Sequence, residues 1–358
     1  MDILIFVIAL SVLVLVHEFG HYIAAIKTGV KVEEFGLGLP PRIVGKKIGE
    51  TIFSLNWLPI GGFCKLYGED AEGKGDRAFN NKKPWQKLLV VLGGVLMNLV
   101  LAVTVFSLVY SILGVPTETK KVKIVGISEG SPAAVAGIKE DDWVVKVAET
   151  PVFSAKEMTE EVAKYKGQEV SLKVLKSESL KAVPAGRQVE REVKVFVREN
   201  PPEGEGGMGV AISNTEMVRI KWYEIHKGIG AGFREAYYWG KIIGGGVVGM
   251  ISELFQGRVP KDVSGPIGMY QATSSIKESQ GMLAVIHFFA IVSVNLAVVN
   301  VLPFPALDGG RIVFVIYEMI FRKRANQKFE TAVNNFGMLV LLFLVFLITA
   351  GDVVRIFK

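Results

Sequence analysis

A single cysteine, Cys64, stands in the 358 residues, so neither a disulfide framework nor a thiolate-based zinc site can form within one chain. Histidine is scarce too, with four in all, and metal chemistry would have to draw on imidazole and carboxylate. Basic clusters interleaved with aromatics are missing. The 41 Lys and Arg residues are mixed with 35 Asp and Glu, so the net charge of +6 is no nucleic-acid footprint and reads instead as membrane topology. The first apolar run, residues 3–16, lacks a basic segment before it and a small-residue cleavage site after it, and apolar character resumes through Tyr22-Ile23-Ala24-Ala25-Ile26. That argues against a signal peptide. Taken to Ile26, the segment reaches the about 20 residues needed to span a hydrocarbon core. The lack of a transit peptide favours a bacterial cytoplasmic membrane over an organelle.

Half of the residues are hydrophobic and the mean hydropathy is positive, enough for several spans plus one small soluble module. Residues 88–113, 282–302 and 333–350 are further candidate spans. The chain thus reads as a polytopic α-helical membrane protein with about four transmembrane helices, one inserted α/β module and a membrane-associated β-hairpin region. The expected division is a first span at 1–27, a cytoplasmic-side hairpin and loop at 28–87, a second span at 88–114 and the module at 115–199. A linker and membrane-surface helix follow at 200–281, then a third span and acidic motif at 282–310, and a loop with the fourth span at 311–358. Lys27, Lys31, Arg42, Lys46, Lys47, Lys82, Lys83 and Lys87 lie between the first two spans, and Arg322, Lys323, Arg324 and Lys328 between the last two. The positive-inside rule places both loops in the cytoplasm and the module outside. Residues 228–254 are Gly-rich and apolar but carry Arg234, Glu235, Lys241 and Glu253, which suits a helix lying against the membrane.

In the inserted module, Val122-Lys123-Ile124-Val125-Gly126-Ile127 alternates as a strand. Ser131-Pro132-Ala133-Ala134 and Ala136-Gly137-Ile138 give a turn and a short helix, and Trp143-Val144-Val145-Lys146-Val147 a second strand. A helix over 155–165 and strands over 169–175 and 190–198 complete it, with a polar hairpin loop at 177–187. This order resembles a bacterial PDZ domain, with Glu140-Asp141-Asp142 where Gly-Asp is common. The resemblance implies a groove beside a strand, used to capture a peptide or substrate tail or to exclude bulky external domains.

The chemistry lies in His17-Glu18-Phe19-Gly20-His21, an H-E-x-x-H pattern inside an apolar helical segment. Positions i and i+4 share a helix face, so both imidazoles can meet one zinc ion, with Glu18 placed to take a proton from water. Zinc lowers the pKa of bound water from about 15.7 to about 7. Polar groups within a span are costly unless paired, metal-bound or facing water, which favours a functional reading. Tetrahedral catalytic zinc takes a third protein ligand. The candidate is Asp308, in Leu302-Pro303-Phe304-Pro305-Ala306-Leu307-Asp308-Gly309-Gly310 after the third span; the alternative is that it caps the helix that follows. The first and third spans run in the same direction, which brings His17, His21 and Asp308 to similar depth on the cytoplasmic side.

With these motifs the chain resembles the site-2 protease family of intramembrane zinc metalloproteases. Phe35-Gly36-Leu37-Gly38, Pro59-Ile60-Gly61-Gly62-Phe63 and Gly68-Glu69-Asp70 resemble the family's segment between spans one and two. Gly94-Val95-Leu96-Met97-Asn98 resembles the start of its second span, and Ser264-Gly265-Pro266-Ile267-Gly268 the stretch before its third. The resemblance implies bound Zn2+, with His17, His21 and Asp308 as ligands and Glu18 as catalytic base. It also implies substrate-backbone contacts from Asn295 and Asn300, whose bland alternative is interhelical hydrogen bonding. The partners implied are the lipid bilayer and single-span membrane proteins such as anti-sigma factors or remnant signal peptides. A membrane-associated hairpin between spans one and two would bind an extended substrate by strand addition. Two other functions compete. An inactive PDZ scaffold would not need Glu18, and a zinc transporter would need a continuous polar path that the other spans lack. His287 is expected to pack or bond between helices, His226 to be solvated and Cys64 to be a small packing residue.

Overall fold

In the computed structural model, which describes residues 2–69, 73, 75–175, 190–202, 204–256 and 265–356, the N-terminal apolar segment forms one helix, α1 (Asp2–Lys27). The helix stops where the Thr28 hydroxyl donates back to the Ala24 and Ala25 carbonyls and Gly29 takes φ +73°. The expected loop at 177–187, Asp70 and Ser264 lie outside the described residues. The chain divides into two units, Met1–Ile112 with Trp222–Lys358, and Leu113–Lys221.

In the first unit, β1 (Val32–Ile48) and β2 (Thr51–Leu66) follow α1. A two-residue turn, with Gly49 at φ +61°, sets Ile48 opposite Thr51. Both strands are long enough to fold over. Glu34, Phe35, Gly36 and Leu37 pair on one side with residues 62–65 and on the other with 52–55. The result is a sheet of four segments in the order 62–66, 32–39, 51–58, 42–48, where the sequence suggests only a hairpin around Ile43 and Ile52. Residues 62–66 form an outer edge with no strand partner on their far side among the described residues. Phe19 and Tyr22 of α1 meet Phe35 and Phe53 at ring-centroid distances of 5.5–6.3 Å, which fixes the sheet beside the H-E-x-x-H segment.

Helix α2 (Pro84–Leu113) starts before the apolar run, because Pro84 is suited to a first helical turn. In that turn Lys87 is buried, with Nζ 2.7 Å from a Glu318 carboxylate oxygen. The second unit is a fully antiparallel sheet. Its elements are β3 (Val115–Ile127), α3 (Pro132–Val135), β4 (Trp143–Val147), β5 (Thr150–Pro151), α4 (Ala155–Ala163), β6 (Glu169–Leu175), β7 (Glu190–Phe196) and β8 (Val210–Val218). The strand order is β7-β6-β4-β3-β8, with β5 on β4. Val122, Ile124, Val144, Leu172 and Val174 form a buried core with Met158 of α4. Ser131 and Ser154 cap α3 and α4, accepting from the Ala134 and Glu157 amides. β8 is unforeseen in the sequence; its partner β3 lies some eighty residues upstream, with Ile127 opposite Val210.

The first unit resumes with α5 (Ile225–Phe255), α6 (Pro266–Gln280), α7 (Met282–Val301), α8 (Asp308–Phe321) and α9 (Gln327–Ile356). Among the described residues, four helices are long and apolar enough to cross a membrane: α1, α2, α7 and the Gln327–Asp352 part of α9. Helix α5 is not among them. It carries exposed Phe233, Tyr237, Tyr238 and Val248. The buried Asp352 of α9 accepts from the Gly265 and Gly268 amides, both at 3.0 Å, and so closes the N-terminus of α6. The chain is a multi-pass membrane protein carrying a sheet-rich unit.

Helices α1 and α2 cross at glycines. A Cβ on Gly20 would lie 2.2 Å from the Gly93 carbonyl oxygen, and one on Gly93 would lie 2.6 Å from that of Gly20. Gly20→Ala is therefore expected to push the helices apart and to cost about 1–3 kcal/mol, measured as a lowered denaturation midpoint in detergent. Gly244→Ala, where nothing stands within 4 Å, is the control; it should leave the midpoint unchanged or raise it, with a gain in stability of up to about 1 kcal/mol.

Candidate metal centre

Helix α1 carries His17 and His21 one turn apart, and their Nε2 atoms lie 3.2 Å from each other. Asp308 reaches the same point from the start of α8, its Oδ2 being 3.1 Å from His17 Nε2 and 3.3 Å from His21 Nε2. Two features deliver it there. Pro303 and Pro305 interrupt the helical path after α7, and Gly309 and Gly310 let α8 sit directly on that interruption: a Cβ on Gly309 would lie 1.9 Å from the Leu302 carbonyl oxygen. Asp308 Oδ2 is buried and makes no hydrogen bond, so this oxygen faces the histidines and does not cap α8.

The second helix arranges the imidazoles. His21 Nδ1 lies 2.8 Å from the Val90 carbonyl oxygen; a carbonyl only accepts, so Nδ1 carries the proton and Nε2 presents its lone pair. Gly94, one turn on, leaves room for both rings, since a Cβ there would be 2.4 Å from His21 Nε2 and 2.6 Å from His17 Cε1. Asn98, a further turn on and wholly buried, has its amide nitrogen 3.2 Å from His17 Nδ1. Val90, Gly94 and Asn98 thus occupy one face of α2.

Three electron-pair donors buried around one point repel unless a cation lies among them. Their spacing matches the edge of about 3.3 Å that a tetrahedral zinc with bonds of about 2.0–2.1 Å requires. Among the described residues this is the one cluster of His, Cys, Asp or Glu fit to hold a metal ion. The donor set, two imidazoles and a carboxylate, suits zinc.

A cavity of ≈ 520 Å³ opens on the cluster, lined also by Glu18, Asn300 and residues 63–66 of β2. The Gly62 backbone passes beside the Glu18 side chain. Glu69 accepts from the Leu66 amide and is ion-paired with Arg311 of α8, which ties the outer edge of the sheet to the helix bearing Asp308. Of the two asparagines, Asn300 lies in the cavity with its amide nitrogen 3.4 Å from His17 Nε2. Asn295 is exposed on α7 and does not line the cavity. His287 packs against the Phe106 ring, with Nε2 3.7 Å from Glu235. His226 is exposed in the first turn of α5. Cys64 is half-buried at the cavity wall, where burial pushes its thiol pKa up and keeps it from acting as a thiolate.

Residues 5–344 match the family model for Peptidase family M50. A protein of Clostridium acetobutylicum named "Putative zinc metalloprotease" is 31% identical over 360 residues, covering 99% of this chain and 97% of its own. The zinc metalloprotease RasP of Shouchella clausii is 27% identical over 438 residues, covering 99% of both chains. A site-2 protease reading of the cluster, the apolar helices and these matches agree: the chain belongs to Peptidase family M50 and is a zinc-dependent metalloprotease of the site-2 type.

Proposed function

We propose that His17, His21 and Asp308 bind the zinc ion, that Glu18 is the general base, and that the enzyme cleaves single-span membrane proteins within or near their transmembrane segments. The observation that carries this reading is the convergence of three donors, buried or partly buried, at 3.1–3.3 Å on the wall of a cavity among apolar helices. Zinc held there would acidify water and polarise a peptide carbonyl. Glu18 takes a proton from the attacking water as its oxygen adds to the carbonyl carbon, then passes the proton to the leaving nitrogen as the C–N bond breaks. The Asn300 amide is placed to hold the substrate backbone in the cavity. Asn295, on the outer face of α7, would meet a substrate helix approaching from the side.

A helical substrate must unwind before its carbonyl can be reached, and the freed backbone groups need partners. The outer edge at 62–65, beside Glu18, offers them by strand addition. For the second unit we propose a PDZ-like role in handling the substrate's external part, on the face opposite the basic cytoplasmic loops. The setting is a bacterial cytoplasmic membrane, with anti-sigma factors or remnant signal peptides as substrates. If the second unit filters by size, deleting residues 115–221 releases cleavage of substrates with intact external domains; if it recruits, the deletion slows every substrate.

Three outcomes are expected in a cleavage assay with a tagged single-span substrate in liposomes. Glu18→Gln keeps its zinc but loses activity by about 10²–10⁴-fold. Gly94→Ala, which drives a methyl group into both imidazoles, loses zinc and activity together; retention of wild-type zinc content would sink the assignment. Phe63→Pro and Cys64→Pro remove neighbouring edge amides, one pointing outward. One of the pair is expected to slow cleavage by about tenfold with zinc retained, and two variants with wild-type rates would remove the strand-addition role.

A further inference from the structure

We infer that Asn98 is a positioning residue for the metal centre: its side-chain carbonyl accepts the Nδ1–H of His17 and thereby holds the His17 Nε2 lone pair toward zinc. The inference rests on the ligand assignment above. A histidine that ligates through Nε2 carries its proton on Nδ1, and the group facing that proton has to be an acceptor. Asn98 is the neighbour of His17 Nδ1, with its nitrogen at 3.2 Å while its Oδ1 is buried with no partner. A donor facing a donor is repulsive. The two ends of an amide are nearly equal in shape, so half a turn about the Cβ–Cγ bond replaces that repulsion with a hydrogen bond. His21 already has this arrangement through the Val90 carbonyl, two turns earlier on the same face of α2. Helix α2 thus supplies an acceptor behind each zinc-binding imidazole. The Ser293 hydroxyl donates to the Asn98 backbone carbonyl at 2.9 Å, a contact that side-chain substitution leaves in place.

The test is zinc affinity of the full-length protein in detergent, by competition with a chromophoric chelator. Asn98→Leu, similar in volume, is expected to weaken binding by about 10–100-fold. Asn98→Asp, which also presents an acceptor, should remain within about threefold of wild type. In the zinc-loaded wild type, 15N NMR of the His17 ring should show the proton on Nδ1. Unchanged affinity in Asn98→Leu, or an equal loss in Asn98→Asp, overturns the inference while leaving the ligand assignment standing. Wild-type affinity in His17→Ala overturns the ligand assignment and the role of Asn98 with it.

Discussion

The structure depends on how closely α1 and α2 approach. With Gly20 facing Gly93 there is no Cβ between the two backbones, and at that distance a main-chain carbonyl of one helix can reach an imidazole on the other. Val90, Gly94 and Asn98 then fall in register with His21 and His17. In an apolar medium the alternative for each ring nitrogen is an unpaired polar atom, at a cost of several kcal/mol. The glycines let the backbones approach closely and so gain van der Waals contacts, the usual basis of helix association in membranes. This packing also leaves the metal centre little freedom to relax around a displaced ligand.

The second requirement is to bring a carboxylate from far along the chain to the same point. Helix α7 ends at a proline-interrupted turn, and α8 restarts with Asp308 as its first residue, seated on the end of α7 through two glycines. One turn into α8, Arg311 pairs with Glu69, which in turn holds the end of β2. The candidate zinc ligand, the candidate base and the outer strand edge are therefore linked through short contacts. A substrate laid along residues 62–66 would pass the cavity wall next to Glu18.

Much of this was legible in the sequence. The spacing of His17 and His21 places both on one helix face, and the apolar context made a metal reading preferable to a buried polar contact. The two prolines and two glycines around Asp308 marked a break able to turn an acid inward. The groups behind the imidazoles were not legible. One is a main-chain carbonyl, which leaves no trace in residue identity, and the other, Asn98, lies 81 residues from its partner. Asn295 and Asn300 looked equivalent in sequence, but five residues along a helix rotate a side chain by about 140°, so only one can face the cavity. The double pairing of residues 34–37 and the strand β8 were hidden for the same reason as Asn98. Their partners are set by tertiary packing and not by local alternation.

Zinc K-edge X-ray absorption on the purified full-length chain tests the central claim most directly, because it reads the donor atoms with no substrate present. The expected spectrum has two imidazole nitrogens and oxygen donors at about 2.0–2.2 Å. A sulfur shell at about 2.3 Å, the distance of a thiolate that only Cys64 could supply, or a first shell with fewer than two imidazoles, would contradict the assignment of His17, His21 and Asp308.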